Sequence, residues 1–549
     1  MLIKLDKQYW IDNYPEYRNE LESLSDAEIQ DRFYRNLEFG TGGMRGIIGA
    51  GENRMNSVIV RRVTRALASV LPNDASVVIG YDSRNYSQEF AQEAVNTLSS
   101  YGIKIYLFDS LRPVPMLSFA VRYLHADAGV EITASHNPPQ YNGYKIYWND
   151  GSQIPPLIAE QIAGQIKDDP SPLCIKPEFI HSVQSEVDDA YVTDIKSLAI
   201  NPDMLREHGH ELSVVYSPLH GSGNTWVRRV LTESGIMNLH IVKEQEEPTG
   251  DFPTVSVPNP EEKDTMTLAI QLANEVGADV ALATDPDCDR LGVAVRDRDG
   301  SYMLLTGNQI GCLLLHYILS HKVPNNGVVI TTIVTTSMIK AITESFGIET
   351  RECLTGFKFI AEMMQQLLNE GKEFLFGCEE SYGYLSNTNV RDKDAVNASL
   401  LVAELALWLK LRGMTMVEYL DELYKKYGYY VDSSKSITLN GSNGLAKING
   451  IMTILRNEPP RSIGGNNVIA IHDYQSGLKY EGDSVTRLHL PISNVLYYEL
   501  EGGNWLCIRP SGTELKIKLY SCAKSSLYYE AWYRSKSYIS ELNSIIRNI

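Results

Sequence analysis

The sequence predicts an α/β protein of several domains, and three observations carry that expectation. The chain has 549 residues, well beyond the ~250–300 at which a single hydrophobic core stops growing, so three or four domains are expected. Short β-rich runs recur along most of it, alternating with stretches of helical character. The C-terminal part, residues 436–549, breaks that rhythm. With 43% hydrophobic and 21% charged residues, the composition is that of a globular chain rather than a disordered one.

Residues 76–80 (SVVIG), 104–108 (KIYLF) and 129–133 (GVEIT) read as strands, separated by helical segments such as 88–100. The pattern restarts at 212–216 and 279–284, and again at 327–333 and 373–376. Short, buried-looking strands alternating with helices of ~10–15 residues predict α/β units with largely parallel pairing. Breaks are expected in the polar stretch 201–210, around 320–326, and at 431–445, which is rich in Ser, Asn and Gly. Beyond them, 485–492, 495–500, 504–508 and 515–521 predict an antiparallel sheet, and 527–546 a final helix. Three α/β domains and one α+β domain result, divided as 1–205, 206–322, 323–435 and 436–549.

Composition also excludes functions. Lys plus Arg number 50 against 68 Asp plus Glu, a formal charge of −18. That field repels nucleic acid and anionic lipid, so an anionic ligand requires a local basic pocket. Seven cysteines with no C-x-x-C pair argue against a disulfide framework and a zinc cluster, and for a reducing compartment. The first residues lack an apolar signal region. The most apolar segment, 397–411, is shorter than the ~20 residues of a membrane span and contains Glu404. A cytoplasmic protein with neither membrane nor nucleic-acid partners is expected.

Five polar segments carry the candidate chemistry, each directly after a predicted strand, where α/β sheets bind ligands; one shared cleft is expected. In Thr133-Ala134-Ser135-His136-Asn137-Pro138-Pro139, the prolines prevent a helix from starting at once. Ser135 is thus expected on a stiff loop. Ser135 and His136 are not expected to form a hydrolase dyad, since neighbours in sequence project differently, and no G-x-S-x-G elbow occurs. Asp285-Pro286-Asp287-Cys288-Asp289-Arg290 places three carboxylates within five residues. At ~4 Å each pair repels by ~4 kcal/mol at an effective dielectric near 20, a cost that a hard divalent cation such as Mg²⁺ removes. An EF-hand is excluded, because its sixth and twelfth positions hold Arg290 and Arg296. Arg509-Pro510-Ser511-Gly512-Thr513-Glu514 can aim amides, hydroxyls and a bidentate guanidinium at an anion. Gly377-Cys378-Glu379-Glu380-Ser381-Tyr382-Gly383 suits sugar hydroxyls. Gly40-Thr41-Gly42-Gly43-Met44-Arg45-Gly46 is neither a Walker A loop nor a dinucleotide fingerprint, yet lets backbone approach a phosphate closely. Each segment alone is also compatible with a plain solvated turn. Together they point to phosphosugar transfer.

With these segments the chain resembles the α-D-phosphohexomutase superfamily of phosphoglucomutases and phosphomannomutases, one signature per domain. The first loop and C-E-E-S-Y-G are closest to the longer subfamily of bacterial α-phosphoglucomutases and phosphopentomutase-type enzymes. The resemblance implies a heart-shaped molecule of three related α/β domains with mixed sheets and a fourth, α+β domain like the TATA-binding-protein fold, around a central cleft. It implies Ser135 as the phosphorylated serine, sharing one Mg²⁺ with Asp285, Asp287 and Asp289. It implies Arg45, Lys145 and His136 around the reacting phosphate. Glu379 and Ser381 would contact sugar hydroxyls, and Arg509, Ser511, Gly512 and Thr513 the distal phosphate. Arg290, Thr355, Gly356, Lys358, Arg391 and Lys393 complete the implied substrate site. Lys145 is the expected general base, its pKa lowered by neighbouring cations and partial burial, with His136 as the competitor.

The implied reaction interconverts α-D-glucose 1-phosphate and glucose 6-phosphate through glucose 1,6-bisphosphate, also the activator. Mannose or pentose phosphates are the alternative substrates, and a serine-phosphate phosphatase or a sugar-phosphate binding protein the alternative classes. Sugar phosphates are the expected partners of a monomer or homodimer.

Overall fold

The computed structural model describes residues 5–40, 42–439, 444–511 and 515–548. The chain forms two compact units: Met1–Leu305 with Tyr382–Thr415, and Thr306–Ser381 with Met416–Ile549. Among the described residues no helix is long and apolar enough to cross a membrane.

The first unit contains two mixed sheets. One comprises Gly43–Ile47 (β1), Ser76–Tyr81 (β2), Lys104–Leu107 (β3), Ala128–Ile132 (β4), Tyr141–Trp148 (β5) and Ile180–Ser182 (β6), in the order β1-β5-β4-β2-β3-β6. β4 pairs in parallel with β2 and antiparallel with β5. All five residues of β4 are buried, as expected of a strand covered on both faces. Helices Ser57–Val70 and Ser87–Ser100 pack one face through Val60, Val63, Leu67, Ala91 and Val95, in one core with Val77, Ile79, Val130 and Ile132. Asn56 caps the first of these helices by accepting from the Ile59 N–H.

The second sheet comprises Ser213–Ser217 (β7), Asn238–Ile241 (β8), Val280–Thr284 (β9), Leu291–Arg296 (β10) and Tyr302–Leu304 (β11), in the order β11-β10-β9-β7-β8. Helix Ala395–Lys410 belongs to this unit and is buried around almost its whole circumference. Its Glu404 accepts from the backbone N–H groups of Ile200 (3.0 Å) and Asn201. Where the sequence predicts a break at 201–210, the chain instead forms helix Pro202–His208. Proline in the first turn loses no helical donor, and Leu205 anchors the helix by burial.

In the second unit, Gly327–Thr332 (β12) pairs in parallel with both Glu349–Cys353 (β13) and Glu373–Glu379 (β14). The C-terminal sheet is antiparallel as expected. Tyr429–Thr438 pairs along its full length with Lys516–Ser525, which pairs in turn with Asn504–Pro510. Helix Tyr528–Asn548 packs on this sheet through Tyr538, Ile539 and Leu542. The predicted break at 431–445 is therefore a strand over most of its length, with 440–443 outside the described residues. The predicted strand 485–492 is only Ser484–Arg487; Pro491 beyond it has no N–H to give a ladder. The four-domain α/β architecture with a C-terminal sheet domain stands.

Candidate active site

Within the first unit, Ser135 follows β4 with a φ of 52°, a left-handed conformation uncommon outside glycine. Its N–H donates to Thr133 Oγ1 (2.8 Å), and its Oγ donates to Asp285 Oδ2 (2.8 Å) while lying 3.1 Å from His136 Nδ1. The expectation that Ser135 and His136 project apart is thus corrected: the left-handed turn swings both side chains to one side.

Arg84 braces this loop. Its Nε donates to the Ser135 carbonyl (3.2 Å), and its Nη1 to the carbonyls of Pro138 (2.9 Å) and Tyr141 (3.0 Å). The side chain is buried beside Asp82 and lies 5.0 Å over the Phe252 ring. Burial pulls the guanidinium down to about 10, against the pull of Asp82. Sequence reading missed Arg84, although Asp82-Ser83-Arg84 follows a strand just as the other polar segments do.

The carboxylate triad sits in the turn between β9 and β10, which pair antiparallel. Asp285, Asp287 and Asp289 are buried, and each offers an oxygen within 4.8 Å of the others. Asp285 Oδ1 accepts the N–H groups of Asp289 and Arg290, both at 3.0 Å. Burial, then Asp287 and Asp289, hold Asp285 well above the usual carboxylate range. Asp287 Oδ1 and Asp289 Oδ1 have no hydrogen-bond partner. Buried, unpartnered carboxylate oxygens are costly, and an oxygen-only donor set of this kind fits a hard divalent cation.

Two lysines approach the triad. Lys145, on β5, lies 2.7 Å from Asp287 Oδ2 and 3.8 Å from Asp289 Oδ2. Lys393 lies 3.1 Å from Asp289 Oδ2 and 3.0 Å from Asp392 Oδ1. The expectation of a lowered Lys145 pKa is corrected. Burial alone would lower it, but Asp287 and Asp289 outweigh burial and raise it, so the side chain is held as an ammonium. Arg45, on β1, donates to Asn137 Oδ1 in the serine loop (2.7 Å). Its strand lies close against β5 because residue 43 is glycine: a Cβ there would stand 2.0 Å from the Tyr144 carbonyl oxygen. Arg290 pairs with Glu261 and lies 3.8 Å from Asp289. Arg391 is buried elsewhere: its N–H donates to Ser118 Oγ (2.9 Å) and its guanidinium to the Thr388 carbonyl.

In the second unit, the Gly356 N–H donates to Glu379 Oε1 (2.8 Å), joining the 355–358 segment to the end of β14. Gly356 has a φ of 125°, which a side chain would strain. Thr355 Oγ1 is buried without a partner. Burial lowers Lys358 to about 8. Ser381 lies in the turn after β14. Arg509 stands opposite Lys518 in the C-terminal sheet, and the Ser511 N–H donates to the Lys516 carbonyl (2.8 Å). Gly512 and Thr513 lie outside the described residues.

A serine hydroxyl held against a buried carboxylate triad at the ends of α/β strands is an arrangement suited to phosphoryl transfer. The sequence matches the alpha/beta/alpha domains I, II and III of phosphoglucomutase/phosphomannomutase over residues 36–172, 189–300 and 306–427. The chain therefore belongs to the phosphoglucomutase/phosphomannomutase family of phosphohexomutase enzymes. It is 39% identical over 531 residues to a phosphoglucomutase of Staphylococcus epidermidis, covering 94% of this chain and 96% of that one. It is 38% identical over 539 residues to a phosphoglucomutase of Staphylococcus aureus, covering 95% and 96%. Among solved structures, a phosphoglucomutase/phosphomannomutase family protein from Burkholderia thailandensis superposes with a TM-score of 0.67 at 19% identity, covering 93% of this chain and 97% of that one. The open form of parafusin, a phosphoglucomutase from Paramecium, gives 0.69 at 18% identity, covering 94% of each chain.

Proposed function

We propose that the protein interconverts α-D-glucose 1-phosphate and glucose 6-phosphate through a phosphoserine at Ser135. The observation that carries this reading is the 2.8 Å contact of Ser135 Oγ with Asp285, beside two unpartnered carboxylate oxygens. In the first transfer the bond between phosphorus and Ser135 Oγ breaks as one forms to the free hydroxyl of the sugar monophosphate, giving glucose 1,6-bisphosphate. The other phosphoryl group then returns to Ser135. Asp285, Asp287 and Asp289 would hold Mg²⁺, which when bound would supply charge neutralisation at the phosphoryl oxygens.

The chain's own groups align the reactants and move the proton. Arg84 fixes the loop that carries the nucleophile, and Arg45 ties β1 to it. Lys145, kept charged by Asp287, stabilises negative charge rather than acting as base. His136, whose Nδ1 stands 3.1 Å from Ser135 Oγ, accepts the proton of the attacking sugar hydroxyl and delivers it to the departing Ser135 Oγ; in the second transfer the proton passes back from Ser135 Oγ to the departing sugar oxygen. Lys393 and Arg290 add positive charge beside Asp289. Arg391 orders its segment through backbone contacts. Glu379 and Ser381 recognise sugar hydroxyls, with Thr355, Gly356 and Lys358 supporting them. Arg509, Ser511, Gly512 and Thr513 hold the distal phosphate. The reading places the enzyme in the cytoplasm, as a monomer or homodimer with sugar phosphates as its partners.

The test is isomer formation from glucose 1-phosphate, with mannose 1-phosphate and ribose 1-phosphate in parallel, alongside intact-mass analysis of the purified chain. Glucose 6-phosphate as the main product, and a serine-linked phosphate that Ser135→Ala removes, are the expected results. Release of inorganic phosphate without isomer would make the protein a phosphatase and overturn the reading. Preference for another sugar would keep the chemistry and overturn the substrate.

A further inference from the structure

Glu380 is the second carboxylate of the sugar-recognition turn, and its surroundings in the second unit differ from those of Glu379. Glu379 is engaged by the Gly356 N–H. Glu380 Oε2 is buried and has no hydrogen-bond partner, and neither has the buried Nε of Arg509 on the neighbouring sheet. The charged groups facing Glu380 are the preceding Glu379 at the end of β14, Arg509, and Lys518 opposite Arg509. The nearby thiols of Cys378 and Cys507 are neutral, burial raising each to about 12. A dianionic phosphate on Arg509 would meet repulsion from an ionised Glu380, whereas a protonated carboxyl carries an O–H to donate.

We propose that Glu380 engages the sugar phosphate as a neutral carboxylic acid, donating a hydrogen bond from its buried carboxyl to the phosphate held by Arg509. The inference rests on the reading that Arg509 grips the distal phosphate. It makes Glu380 a binding group and gives substrate affinity a pH dependence. Burial, then Glu379, raise the Glu380 carboxyl to about 7, with Arg509 and Lys518 pulling the other way. Below that pH the donor is present. Above it, binding must take up a proton, and affinity falls by roughly tenfold per pH unit.

Calorimetric titration of glucose 6-phosphate into the full-length Ser135→Ala chain, which cannot transfer the phosphoryl group, tests this at pH 6 and pH 8 in two buffers of different ionisation enthalpy. Proton uptake at pH 8 is expected, lost in the added Glu380→Gln variant, whose affinity should be insensitive to this titration. Lys358, lowered to about 8, is the competing source of such a proton. Uptake should therefore persist in Lys358→Met; its loss there, or its persistence in Glu380→Gln, overturns the proposal. No uptake at pH 8 in the parent chain overturns it without either variant. Absence of binding at pH 6 would instead overturn the sugar-phosphate reading itself, as would a wild-type chain that forms no isomer.

Discussion

Ser135 Oγ and Asp285 Oδ2 meet at 2.8 Å across 150 residues of sequence, so the serine loop that follows one α/β sheet is held by the aspartate turn of the next. A second contact reinforces the relation, from the Val114 N–H to the Asp287 carbonyl at 2.9 Å. The setting of the Ser135 hydroxyl therefore depends on how the two sheets of the first unit are joined.

Asp287→Ala removes one carboxylate from the triad and the partner of Lys145. Turnover is expected to fall by ~10²–10³ or more. Lys145 would keep only its 3.8 Å contact with Asp289, and loss of its charged hydrogen bond to Asp287 should cost ~1–3 kcal/mol. Steady-state rates and urea unfolding read the two effects separately, and a variant as active as the wild type would remove the triad from the mechanism.

Arg84→Lys keeps a positive charge but loses the fork that reaches the carbonyls of Ser135, Asn137, Pro138 and Tyr141 at once. We expect kcat to fall by ~10–100-fold with a smaller change in KM, since misplacement by ~1 Å costs about that much. Equal rates in the two proteins would mean that the loop is rigid without its brace.

Glu131, in the middle of β4, is fully buried with neither carboxyl oxygen bonded. Burial, then Asp82 and Asp287, hold its pKa well above the usual 4.5. A carboxyl whose folded-state pKa is raised favours the folded state most below the unfolded value and loses that contribution as pH rises toward the folded value. Glu131→Met should therefore stabilise the protein by ~1–3 kcal/mol near neutrality, and its advantage should shrink toward pH 4.5. Denaturant midpoints at pH 5 and pH 8 check the sign; a variant less stable at both would show that the carboxyl has a favourable partner.

Gly43→Ala places a methyl group 2.0 Å from the Tyr144 carbonyl oxygen at a φ of 148°. Strain of ~1–3 kcal/mol is expected, released by parting β1 from β5, which carries Arg45 away from Asn137. A lowered melting temperature together with reduced kcat is the expected pair of readings.

Much of this was legible before the structure. The strands at 76, 104, 129, 280, 327 and 373 announced themselves as short apolar runs bounded by Gly, Asp or polar residues, and the serine loop and aspartate turn by residue type. What stayed hidden depends on three-dimensional neighbours. Arg84 is one of 50 basic residues until its carbonyl partners are known. Lys145 was read as a lowered lysine because the aspartates beside it are 142 and 144 positions away. The Ser135–His136 contact follows from a single backbone dihedral that residue type does not encode. At 429–438 serines and lysine mimicked a linker, although the chain there is a ladder of main-chain hydrogen bonds for which such side chains need only point outward.

Helix Ala395–Lys410 closes the first unit from a position after the excursion Thr306–Ser381. On the ribosome, the first 305 residues therefore wait for a late-arriving plug, and the intervening segment alone takes roughly 4–15 s to synthesise at ~5–20 residues per second. During that interval the apolar bed for Leu400, Leu401 and Leu405 is open to solvent. Fragments that stop short of residue 395 lack the buried helix that completes this unit and are expected to be insoluble.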